Sequence, residues 1–85
     1  MVVDSHRDWN ELDQKMKELE FARNSLMEEL EAINNYQARI AASKDSELIK
    51  LLQHNMDEEK EHVAMIVEWL RANDAVQDKA FKEHD

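Results

Sequence analysis

The sequence predicts an all-α chain: an antiparallel hairpin of two long helices and a short third one, pairing with a second copy into a four-helix bundle. Three observations predict it. None of the 85 residues is Gly or Pro, the residues that interrupt helices and build turns. About half are Ala, Glu, Lys, Leu or Arg, the composition of long helices and coiled coils. The apolar residues also recur at helical spacing in two stripes separated by a short polar break.

Residues 1–7 are aperiodic and read as a flexible lead-in. Trp9, Leu12, Met16, Leu19, Leu26, Leu30, Ile33 and Ile40 then line one side of a first helix, expected over 8–41. The break Ala42-Ser43-Lys44-Asp45-Ser46 holds Ser43 and Asp45. Either can cap the next helix by accepting from its first free N–H groups. Leu48, Leu51, Leu52, Met56, Val63, Ile66, Trp69 and Leu70 form the stripe of a second helix over 46–73. It is expected to end at Asn73, a residue type that tolerates the left-handed backbone of a helix terminus. Asp74-Ala75-Val76-Gln77 resembles a capping box and starts a short third helix over 75–82. Residues 1–85 thus read as one domain, a half-bundle. A lone hairpin cannot bury two apolar stripes, so a partner is required.

Composition excludes several functions. Twenty acidic against eleven basic residues leave a formal charge of −9, which lacks the basic footprint of a nucleic-acid binder and attracts cations instead. With no Cys there is no disulfide framework, zinc finger or thiolate nucleophile, in keeping with a reducing, cytoplasmic setting. No apolar run reaches the length of a membrane span, and the N-terminus lacks a signal-peptide pattern. The serines sit in capping or helical contexts, which gives nucleophilic catalysis no support.

One constellation points to chemistry. Glu59-Lys60-Glu61-His62 is a single Glu-x-x-His motif, accompanied by the lone Glu29. Di-iron carboxylate bundles use two such motifs and two lone glutamates over four helices, so this chain carries half the set on half the helices. Glu29 lies fifteen positions before Lys44 and Glu59 fifteen after, each about 22 Å from the turn at 1.5 Å per residue. An antiparallel hairpin therefore sets them side by side, and His62 follows Glu59 by nearly one turn on the same face. Asn55, Glu59 and His62 interrupt the apolar series Leu48, Leu52, Ile66, Trp69 at its middle, while Glu29 lies between Leu26 and Ile33 with Tyr36 beyond. Carboxylates placed there need a counter-charge, which a divalent metal supplies. Two carboxylates and an imidazole suit iron, manganese or zinc more than copper or calcium. A solvated acidic face with one histidine gives the same motif; the equidistant Glu29 and the interrupted stripe favour the site. The zincin motif His-Glu-x-x-His is absent.

Met27-Glu28-Glu29-Leu30-Glu31-Ala32-Ile33 with Tyr36, His54-Asn55-Met56-Asp57-Glu58-Glu59-Lys60-Glu61-His62 and Glu68-Trp69-Leu70-Arg71 closely resemble the encapsulated ferritins. The resemblance covers roughly residues 20–74. It implies a two-helix ferritin-like ferroxidase whose homodimer assembles a four-helix di-iron site, and whose dimers build an annular oligomer, a decamer, inside an encapsulin nanocompartment. Glu29, Glu59 and His62 would then be the iron ligands and catalytic residues, given by both chains across a two-fold axis, with two Fe per dimer. Manganese, zinc or calcium would be their stand-ins in crystals. Glu28 and Glu31 match acidic positions that the family uses for metal approach, and Tyr36 would hydrogen-bond near the site. His54 matches too, but helical spacing takes it off the Glu59/His62 face. Asn35 stands where the family often has tryptophan, and Asp85 ends the sequence without the extension that delivers many members to their shell. The rival readings are a metal-free helical interaction module and a structural metal site without redox activity.

Overall fold

The computed structural model describes residues 13–85; the expectations for the lead-in and for Trp9 and Leu12 lie outside them. The described residues are all helical, without strands, in the order α1 (Gln14–Ala42), α2 (Ser46–Asn73) and α3 (Ala75–His84). α1 and α2 form the expected antiparallel hairpin, and α3 packs on the end of α2.

Each helix starts on an aspartate. Asp13 accepts from the Met16 N–H at 2.8 Å and opens α1 at Gln14; positions 8–12 of the expected first helix lie outside the described residues. Asp45 accepts from the N–H groups of Glu47 at 2.9 Å and Leu48 at 3.1 Å, which settles the choice of cap for α2 in its favour. Ser43 closes α1 instead, donating its N–H to the Arg39 carbonyl at 2.9 Å, while its hydroxyl oxygen accepts from the Asp45 N–H at 3.3 Å. Such side-chain acceptors satisfy donors that the helix start leaves free.

The α2–α3 junction differs from the sequence expectation in one respect. Asn73 remains helical, and no described residue takes positive φ. The turn is made by Asp74 alone, extended at φ −135° and ψ 97°. Its N–H ends α2 on the Leu70 carbonyl at 2.8 Å while its carboxylate starts α3 by accepting from Gln77 at 3.1 Å. Because that N–H is already engaged, Gln77 has no donor to answer, and only the forward half of the capping box forms. One aspartate serving both helices removes the need for a left-handed residue. α3 also runs on to His84, past the expected end at 82.

The far end of the hairpin is tied by polar contacts. Lys15 Nζ donates to Asn73 Oδ1, and these two positions are equidistant from Lys44 in sequence. Lys15 also stands 5.4 Å from the Trp69 ring centroid, and Arg23 pairs with Asp74 at 3.3 Å. At the α2–α3 corner Arg71 Nε donates to Asp78 at 2.7 Å, Lys82 reaches the other Asp78 oxygen at 3.0 Å, and the Arg71 guanidinium lies 5.0 Å from the Phe81 centroid.

The chain is far from compact. Its radius of gyration is 17.3 Å, against about 12 Å for a globular domain of this length. Among the described residues only Met56 and Leu70 are buried apolar side chains. Phe21, Met27, Leu51, Met65 and Val76 are more than half exposed, and Met16, Leu30, Leu48 and Trp69 are open as well. No helix among the described residues is long and apolar enough to cross a membrane.

Candidate metal centre

The hairpin register brings Glu29 of α1 level with Glu59 and His62 of α2. Glu59 and His62 share a face because three residues make nearly one helical turn. One ligand atom from each of the three lies within 4.8 Å of the others. His62 Nδ1 stands 3.4 Å from Glu59 Oε2 and 3.5 Å from Glu29 Oε2. Those separations are long for hydrogen bonds. They suit atoms converging on a common point better than a tight ion pair.

Exposure is graded across the group. The side chains of Glu29 and Glu59 are 28% and 21% accessible, and that of His62 is 49%. The carboxylates thus sit in the seam between the helices while the imidazole marks its open edge. Oxygen from two carboxylates and one imidazole nitrogen can hold iron, manganese or zinc. Three donors from one side still fall short of the four that zinc takes and the six of an octahedral ion. The arrangement therefore offers at most half of the donors an octahedral ion takes, with its imidazole at the exposed edge.

The other candidates lie outside that convergence. Glu28 and Glu31 are exposed on α1, turned roughly 100° and 200° from Glu29 by helical geometry. Tyr36 is half-buried two turns beyond Glu29, about 10 Å along the axis, with the Arg39 guanidinium 5.9 Å from its ring centroid. His54 pairs with Glu58 at 2.8 Å on the exposed side of α2, off the Glu59/His62 face as its spacing implies. Sequence patterns missed the Arg71–Asp78 pair, because the two positions belong to different helices whose angle no periodicity specifies.

A family model described as EncFtn-like matches residues 4–84. An encapsulated ferritin-like protein of Rhodospirillum rubrum is 63% identical over 51 residues, which is 60% of this chain and 36% of that protein. The encapsulin nanocompartment cargo protein EncC of Myxococcus xanthus is 40% identical over 72 residues, 81% of this chain and 55% of its own length. The chain therefore spans about a third to a half of these two relatives. Among solved structures, the crystal structure of protein ne0167 from Nitrosomonas europaea superposes with a TM-score of 0.86 at 45% identity, covering 92% of this chain and 87% of that one.

Proposed function

The chain belongs to the EncFtn-like family, and on that premise we propose that it is a ferroxidase, oxidising Fe(II) with oxygen at a site that two copies share. The observation that carries this reading is the half-sphere of Glu29, Glu59 and His62, open at one edge of a hairpin whose apolar residues are also left open. A two-fold axis at that edge would bring together four carboxylates and two imidazoles. Four carboxylates balance the charge of two Fe(II) ions, so the pair can enter a partly desolvated interface without a net charge.

Iron here is the substrate: each Fe(II) gives up one electron to oxygen and leaves as Fe(III). The chain's own residues bind and orient it. Glu29 and Glu59 supply oxygen donors from opposite helices, and His62 offers Nδ1, the ring nitrogen that faces both carboxylates. His62 must be neutral to ligate, so protons compete with metal for it. Glu28 and Glu31, exposed beside the site on α1, would draw cations toward it, and Tyr36 would serve near it as a hydrogen-bonding partner in the paired form. Among the described residues, one open hairpin encloses no cavity in which to store mineral. Oxidised iron would pass to a surrounding compartment, and the cargo name of the Myxococcus relative supports an encapsulin shell as that compartment.

Native mass spectrometry of the protein during anaerobic Fe(II) titration tests the shared site. Two irons on the dimer and none on the monomer are expected. Iron bound equally by monomer, or not bound at all, would remove the shared-site reading.

A further inference from the structure

Asn55 is the polar member of the interrupted α2 stripe that the proposed site leaves without a task. We propose that Asn55 is a positioning residue: its carboxamide N–H donates to the Glu59 oxygen turned away from His62, and so orients that carboxylate once a second copy covers this face. The inference rests on the reading of Glu59 as a metal ligand shared across a two-fold interface.

Three observations carry it. Asn55 is half-buried and precedes Glu59 by one helical turn, so the two side chains are neighbours on one face. Within the described chain it has no side-chain partner, and its amide still reaches water. Glu59 faces His62 through Oε2, and among the described residues its Oε1 takes part in no hydrogen bond.

Closing the interface would strip water from an amide that lies one helical turn beyond Leu51 and Leu52, and an amide buried without a partner is costly. Three carboxylates lie within a turn ahead of it, and Asp57, two positions on, is turned to the opposite side of the helix. Glu58 points to the exposed side and already pairs with His54 at 2.8 Å. Glu59 is the one left, with a free oxygen on the correct face. A carboxylate with one oxygen on metal and the other accepting a hydrogen bond is held in a single orientation, which raises the affinity of the site.

The test uses Zn(II) and Co(II) with the intact protein. On Zn(II) loading, one side-chain amide proton of Asn55 should move downfield in the nitrogen-15 NMR spectrum and exchange more slowly, while Asn34 and Asn35 stay put. Asn55→Leu should keep its helicity by circular dichroism yet bind Co(II) about 10- to 100-fold more weakly, with an altered visible absorption spectrum. An Asn55 amide that ignores Zn(II) while the His62 ring signals respond overturns the proposal, as does Co(II) affinity in Asn55→Leu within twofold of wild type. His62→Ala is the control for the underlying site: if that variant also binds Co(II) normally, the metal-site reading itself has failed, and the role of Asn55 falls with it.

Discussion

At the scale of single residues, the site depends on a few atoms whose geometry leaves little redundancy. Glu59 is the least exposed of the three converging side chains and lies 3.4 Å from the imidazole. On the proposed reading, Glu59→Ala would remove a ligand without touching a helix cap or an apolar side chain. It should lower rapid iron oxidation, followed by oxygen consumption, by at least a hundredfold and leave the far-ultraviolet circular dichroism unchanged. Near wild-type oxidation would show that Glu59 is not a ligand. A two-fold site doubles every such defect, so heterodimers of wild-type and variant chains should lose activity as well. Acidification should weaken metal binding in parallel, because protons compete for the same imidazole and carboxylate atoms.

At the scale of elements, three aspartates decide where helices begin. Asp45 satisfies two N–H groups of α2 at the tight link, and Asp45→Ala should cost about 1 kcal/mol of stability in urea unfolding. A loss indistinguishable from zero would mean that water replaces the cap at no cost. α3 is held differently, by charge at its junction with α2. The hydrogen bond from Arg71, and after it that from Lys82, holds the Asp78 carboxyl below the usual carboxylate range. A depressed folded-state value stabilises the docked helix at any pH above the ordinary carboxylate value, about 4. That contribution is lost as pH falls through the lowered value. The protection of α3 amides relative to the unfolded chain should therefore be constant from neutral to about pH 4 and fall below it. Asp78→Asn should already be weakly protected at neutral pH; equal protection in the variant would assign docking to the Arg71–Phe81 contact instead.

At the scale of the whole molecule, a hairpin with only two buried apolar side chains among the described residues is a poor folding unit on its own. Large apolar residues on both helices are open to water, and burying them is the dominant gain that association offers. The unfolding midpoint should therefore rise with protein concentration, as it does for a dimer whose folding and pairing are linked. A metal site shared as proposed would add a second link. Carboxylates brought together across a two-fold axis repel until a cation joins them, so chelator should shift the sedimentation profile toward monomer and Fe(II) should restore it. A midpoint independent of concentration would mean that the hairpin is stable alone.

Helicity, the two stripes, the break at Ser43–Asp45 and the equidistance of Glu29 and Glu59 are all legible in the sequence, because each follows from the fixed rise and turn of a helix. The family resemblance rests on the same motifs. Tertiary structure decided which of Ser43 and Asp45 caps α2, and that Asp74 rather than Asn73 turns the chain, because local hydrogen bonds compete within a few ångströms. It also decided that His62 presents Nδ1 to both carboxylates, and that Arg71 reaches across a junction to Asp78. Periodicity assigns a residue to a helix face, but the angle between helices and the rotamer at each position come only from packing.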